Sequence, residues 1–314
     1  MKRVILIFAL LLTAVQLYAQ PDVIKQTYHY ATQNGEELYL DRYYVEGVSH
    51  EPRPCMIFAF GGGFARGERF RDYYYPYFVS LARAGIDAVS IDYRLGLKNI
   101  TQKLSIKEMI DVLDNSVLIA VEDMYAATNF VLARAEEWGI DPNYIMVSGS
   151  SAGAITALQA EYLRAKGAET AKVLPAGFRY AGVVSCAGAL FSRHGRPRMK
   201  GEPAPMLLFH GTSDSNVPYD KASIMGVGFY GSRYIAKQLD RLDSPYLFYS
   251  VEYMDHRLAG TPLYQQCDLI LQFIKEYVLQ DNTLRTHTTV ENIEGERRPT
   301  RFTARDYLRT NYQQ

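Results

Sequence analysis

The chain has 314 residues, 48% of them hydrophobic, with 34 basic and 34 acidic side chains. That length can bury one large α/β core or two modest ones. A formal net charge of zero argues against nucleic acid or an anionic membrane surface as a partner.

Lys2 and Arg3 precede an apolar run, Val4 to Val15, and Leu17-Tyr18-Ala19 before Gln20 has the form of a cleavage site. The run is too short to span a bilayer as a helix. No cysteine stands at the junction to carry a lipid. Residues 1–19 therefore read as a signal peptide. The expectation is an exported chain, periplasmic or secreted, with no stable membrane anchor. Its three cysteines, Cys55, Cys186 and Cys267, are an odd number, so in an oxidising compartment at least one stays free or pairs with another molecule. No Cys-x-x-Cys and no His/Cys cluster at metal spacing occurs, so neither a metal site nor a cofactor is expected.

Ile24 to Tyr30 and Glu37 to Val45 read as strands joined at Gln33-Asn34-Gly35, a hairpin signal. Pro54 to Phe60 is a continuous apolar run ending in three glycines, which fits a strand buried on both faces. Tyr73 to Arg83 is helical and Ile86 to Ile91 is another strand. Ser105-Ile106-Lys107-Glu108 is a capping box opening a long periodic stretch. As a single helix that stretch would be about 45 Å long, so a break is expected near Asp114-Asn115. Strands then read at Tyr144–Val147, Tyr180–Ser185, Ala204–Phe209 and Tyr246–Tyr253. Helices read at Ile155–Leu163, Tyr230–Leu242 and Leu263–Leu279. The alternation predicts an α/β fold, a mostly parallel central sheet with helices on both faces and an antiparallel hairpin at one edge. Residues 20–280 form the expected domain. Residues 281–314 read as a polar C-terminal extension with a short helix over 304–312.

The most informative segment is Gly149-Ser150-Ser151-Ala152-Gly153, a Gly-x-Ser-x-Gly between a strand and a helix. A glycine-rich turn would read the same way if the motif stood alone. The strand before it and the helix after it make Ser151 a candidate nucleophile, and such a serine needs a base, an orienting acid and an oxyanion hole. In open parallel sheets active groups gather at the carboxyl ends of strands. Asp214 follows the strand Ala204–Phe209; Asp220 is an alternative further from the strand end. Among the histidines after Ser151, His210 is still in its strand, His194 sits between arginines and His287 lies in the polar tail. His256 follows the last strand in a loop. Phe60-Gly61-Gly62-Gly63-Phe64 offers backbone N–H groups with no side chain in the way. A phosphate cradle fits less well, because no Lys-Ser/Thr follows the glycines.

In this order the Gly-Gly-Gly loop, the Gly-x-Ser-x-Gly, Asp214 and His256 resemble the α/β-hydrolase superfamily. Within it they resemble the carboxylesterase/lipase branch with an HGGG-type loop, including bacterial feruloyl- and acetyl-esterase-like members. Leu38-Tyr39-Leu40-Asp41, Ile91-Asp92-Tyr93-Arg94-Leu95, Glu122-Asp123, Gly139-Ile140-Asp141-Pro142 and Val217-Pro218-Tyr219 add to the likeness. The resemblance implies Ser151 as nucleophile, Asp214 as acid, His256 as base, and the N–H groups of Gly62, Gly63 and Ala152 as the oxyanion hole. One residue departs from it: the loop's usual histidine is Phe60, which could support the loop only by packing. The resemblance also implies that the Ser151 strand separates those of Cys55 and Cys186, about 9.6 Å apart, too far for a disulfide.

The function expected is an exported serine esterase working through an acyl-enzyme. Its alternatives are a serine peptidase of the prolyl-oligopeptidase type and a catalytically silent binding protein on the same fold. Aromatic residues near the glycine loop lean the substrate towards aryl esters or acyl groups on polysaccharides. Candidate pocket residues are Phe64, Tyr73 and Tyr74, with Met109 and Ile110 from the ordered segment Gly96–Asn115 as a second wall. The oligomeric state is left open.

Overall fold

Asn34 and Gly35 both take positive φ angles, 53° and 82°, and fold β1 (Ile24–Gln33) tightly back on β2 (Glu36–Tyr44). Two such residues in succession suit the twist of a two-residue hairpin. The computed structural model describes residues 22–47, 52–100, 102, 104–291, 303, 306, 309 and 310. The signal-peptide expectation lies outside those residues, and the helix expected over 304–312 lies mostly outside them.

After the hairpin come β3 (Arg53–Ala59), α1 (Tyr75–Arg83), β4 (Asp87–Ile91), α2 (Ile106–Ala133), a short α3 (Ala135–Trp138) and β5 (Ile140–Ser150). Next are α4 (Ala152–Ala165), β6 (Gly182–Cys186), β7 (Ala189–Ser192), β8 (Met206–Gly211), β9 (Lys221–Ile224) and β10 (Val227–Gly231). The order closes with α5 (Ser232–Asp240), β11 (Tyr246–Glu252), α6 (Pro262–Gln265), α7 (Cys267–Phe273), a π-helical turn at Ile274–Leu279 and β12 (Arg285–Glu291). Among the described residues, nine strands form one sheet in the order β1-β2-β4-β3-β5-β6-β8-β11-β12, and of these only β2 runs against the rest. Every residue of β4, β6 and β8 is buried, as parallel strands covered on both faces must be. The helices form two groups, α2 against α4 and α1 against α6 and α7. The strand order puts β5 between the strands of Cys55 and Cys186, as the resemblance implies.

Three features depart from the sequence reading. β7, β10 and β9 pair into a small second sheet, too short and irregular to show a period. β12 pairs in parallel with β11, where His287 stacks on Phe248 at 4.5 Å. Part of the segment read as a polar extension is therefore an edge strand, with its polar side chains facing solvent. Finally, α2 does not break at Asp114-Asn115. It runs 28 residues, about 42 Å at 1.5 Å per residue.

A helix of that length fits because its start projects past the sheet. The first buried residue is Leu113, and Ile106 is 66% exposed. The projecting turns are held in two places. Ser105 and Glu108 bond each other's N–H groups, and Arg193, just after β7, reaches Asp111 at 2.7 Å and Asp114 at 3.1 Å. By length and hydropathy α2 could also cross a membrane, but Val117, Val121, Met124 and Val131 lie buried in the core. Asn115 is exposed in the helix interior. Asn115→Pro should cost about 3 kcal/mol, a fall of roughly 6–12 °C in Tm at this size, whereas Asn115→Ala should not. Equal melting temperatures for the proline and alanine variants would mean that the helix is interrupted there.

Candidate active site

Ser151 sits between β5 and α4 with φ 51° and ψ −114°, a backbone strained for a non-glycine residue. Its neighbours explain how so sharp a turn closes. A Cβ on Gly149 would stand 2.2 Å from the carbonyl carbon of Gly153. A Cβ on Gly153 would stand 2.0 Å from the carbonyl oxygen of Ala59, on β3. Only glycine at both positions lets α4 press against β3 and β5. The Ser151 N–H donates to the Cys186 carbonyl of β6 at 2.9 Å, which fixes the turn from the other side.

Three strand ends bring Ser151, His256 and Asp214 together. The Ser151 hydroxyl lies 2.8 Å from His256 Nε2, and His256 Nδ1 lies 2.7 Å from Asp214 Oδ2. Asp214 Oδ1 accepts the N–H groups of Asn216 and Val217, each at 2.9 Å. Burial by itself would push the Asp214 carboxyl up. The His256 ring at 2.7 Å and the His210 ring at 3.5 Å outweigh it and hold the carboxyl well below the usual carboxylate range. Asp220, the alternative acid, takes no part and faces Arg233 at the surface.

The loops after β8 and β11 are joined to each other. The Thr212 and Ser213 N–H groups donate to the Val251 and Met254 carbonyls at 3.0 Å, and the Tyr253 N–H donates to Thr212 Oγ1 at 2.8 Å. A Cβ on Gly211 would meet the Met254 carbonyl oxygen at 2.2 Å, so this glycine admits the His256 loop to the end of β8. The role of Gly211 could have been suspected from its place in His210-Gly211-x-x-Asp214.

The glycine loop after β3 passes close to the serine. A Cβ on Gly61 would stand 3.2 Å from Ser151 Cβ. Phe60, in place of the usual histidine, stacks on Tyr93 with ring centres 4.4 Å apart, and the Tyr93 hydroxyl donates to the Phe60 carbonyl at 2.7 Å. The Gly61 N–H donates to the Tyr74 hydroxyl at 3.0 Å, so that N–H is already taken. The Ala152 N–H heads α4 and has no acceptor within the helix.

Two expected pocket residues prove to be supports. Tyr74 is wholly buried, with its hydroxyl on Gly61, and so presents no surface to a substrate. Phe64 is 2% exposed; its ring packs edge-on against Tyr93, and its carbonyl accepts the Leu97 N–H. Both are large aromatics beside the loop, and the sequence does not show which way they point. Tyr73 is exposed and sits against Gly260, four residues past His256. Met109 and Ile110 are half-buried on the projecting part of α2. Tyr74→Phe would leave the Gly61 N–H without its partner, costing about 1 kcal/mol. Turnover of a p-nitrophenyl ester should fall about fivefold to tenfold in kcat/KM, and an unchanged value would show that the Tyr74 hydroxyl does not hold the loop.

Residues 40–172 match the BD-FAE family profile. Over 119 residues the chain is 35% identical to the fumonisin B1 esterase of Sphingopyxis macrogoltabida, covering 37% of this chain and 21% of that protein. Over 117 residues it is 31% identical to the acetylcholinesterase of Gallus gallus, covering 37% of this chain and 14% of that protein. The chain thus spans about a fifth or less of the length of these curated relatives. The solved structure of esterase 2 from Thermogutta terrifontis superposes with a TM-score of 0.59 at 21% identity, over 84% of this chain and 94% of that one. Its propionate- and butyrate-bound forms superpose at 0.58 and 0.59 with 22% identity, each over 82% of this chain and 94% of that one. The family match spans the glycine loop and Ser151, while Asp214 and His256 lie beyond it and are brought in by the fold. The chain has the α/β-hydrolase fold, and its segment 40–172 is similar to the BD-FAE family.

Proposed function

We propose that this chain hydrolyses carboxylic esters through an acyl-enzyme on Ser151. One observation carries the reading: the unbroken chain of contacts from the Ser151 hydroxyl through His256 to Asp214, at 2.8 and 2.7 Å. The Ser151 oxygen attacks the ester carbonyl while His256 Nε2 takes its proton. Asp214 accepts from His256 Nδ1–H, fixes the tautomer and offsets the imidazolium charge. The N–H groups of Gly62, Gly63 and Ala152 receive the oxyanion, each such donor being worth about 10²–10³ in rate. His256 then protonates the leaving alcohol. Water, deprotonated by the same nitrogen, releases the acid and restores Ser151.

Ser151→Ala should fold and lose several orders of magnitude in kcat, about 10⁴ or more, because the three residues act as a unit. A fluorophosphonate should label wild type at Ser151. More than about a tenth of wild-type turnover in the alanine variant would sink the assignment, as would labelling at another serine. Cleavage of aminoacyl-arylamides in preference to esters would favour a peptidase instead.

For the substrate we propose acyl groups on polysaccharides, or aryl esters, met outside the cytoplasm. The basic and apolar start of the chain supports export. The BD-FAE match, a family of bifunctional feruloyl/acetyl esterases, supports feruloyl or acetyl esters. The propionate- and butyrate-bound relatives support a short acyl site. Met109 and Ile110 on α2, with the exposed Tyr73, are the proposed walls. Met109→Ala or Ile110→Ala should then change the ratio of kcat/KM between acetyl and bulky acyl esters by more than about twofold, ~0.5 kcal/mol. A lower Tm with an unchanged ratio would make that face of α2 a docking surface only.

A further inference from the structure

We propose that His210 is a positioning residue for this reaction: from the end of β8 it holds the second oxygen of Asp214 in line with His256. The proposal rests on the Ser151–His256–Asp214 reading and concerns a residue outside that trio. His210 is wholly buried, and its Nε2 lies 3.5 Å from Asp214 Oδ2, the same oxygen that receives His256.

The partners of the ring fix which nitrogen carries the hydrogen. Nε2 lies 3.1 Å from the Val217 carbonyl, which can only accept. Nε2–H therefore points into the gap between that carbonyl and Asp214 Oδ2. Nδ1 lies 2.8 Å from Ser232 Oγ, at the first position of α5, and accepts from that hydroxyl. Tyr219 closes the ring edge-on at 5.7 Å between centres, with its own hydroxyl bonded to Ser250 on β11.

These contacts close a small cycle. Val217 donates its N–H to Asp214 Oδ1 and offers its carbonyl to His210, while His210 turns its hydrogen towards Asp214 Oδ2. The two N–H groups of Asn216 and Val217 both bind Oδ1 and so anchor one corner of the carboxylate. Rotation about that corner would swing Oδ2 off the His256 axis, and His210 stands where it opposes the swing. The His210 Nε2–H, 3.5 Å from Asp214 Oδ2, also favours the ionised carboxylate that His256 needs.

The test uses the whole chain. Wild type, His210→Leu, His210→Gln and Ser232→Ala are compared by the rate of fluorophosphonate labelling of Ser151 and by kcat and KM on p-nitrophenyl acetate. His210→Leu should lower kcat and the labelling rate about tenfold or more with KM within about twofold. His210→Gln, whose amide can place an N–H near the Nε2 position, should recover most of the loss. Ser232→Ala, which frees the tautomer, should slow labelling about threefold or more. A folded His210→Leu within about twofold of wild type overturns the proposal, and so does a glutamine variant no better than leucine. If His210→Leu does not fold, an unchanged labelling rate in Ser232→Ala overturns it. Labelling of Ser151 in wild type without ester turnover defeats the ester reading alone, and the labelling rates still decide the role of His210. Absence of labelling at Ser151 defeats both.

Discussion

The close approach of α4 to β3 and β5 governs the geometry of the site. Gly149 and Gly153 face each other and the Ala59 carbonyl at distances no side chain could occupy. The turn between them strains Ser151, which costs of order 1–3 kcal/mol. The helix that closes the turn offsets this many times over. Every residue from Ala152 to Leu163 is buried, Ile155, Leu158, Tyr162 and Leu163 among them. Each such apolar side chain contributes about 1.5–3 kcal/mol on burial. Ser151 is thus held in an unfavourable conformation by a helix that has nowhere else to go.

From that fixed point the rest of the site depends on neighbouring strand ends. β5 bears Ser151, and β8 and β11, paired in parallel, bear Asp214 and His256. Their two loops are sewn together by backbone bonds and by the close approach at Gly211, so Asp214 and His256 are fixed to each other. The small sheet of β7, β10 and β9 leads into α5, whose first residue is Ser232. The region that looked least regular in sequence is therefore connected to the acid through His210.

The sheet, the hairpin, Ser151 and its two partners were legible because each rests on a local rule. Asn-Gly turns, apolar runs and glycines around a serine act over a few residues, and parallel sheets place active groups at strand ends. The failures are of another kind. A break in α2 was expected from its length, but the first turns project from the core and are fastened by Arg193, some 80 residues away in sequence. β12 has too few apolar residues to announce itself, because an edge strand exposes most of its side chains. Phe64 and Tyr74 were expected to face a substrate, and instead they face the underside of the loop. Composition shows that aromatics gather there, but only packing shows which way they turn.

The aromatic underside of that loop also bears on its response to acid and alkali. Where the HGGG-type loop that this one resembles has an imidazole, this chain has the phenyl ring of Phe60 on Tyr93. Burial pushes the Tyr93 and Tyr74 hydroxyls up, away from neutral pH. Among the described residues, the Phe60, Tyr93 and Tyr74 contacts that support the glycine loop thus contain no group that changes charge near neutrality. The support beneath the glycine loop therefore keeps its form across that range.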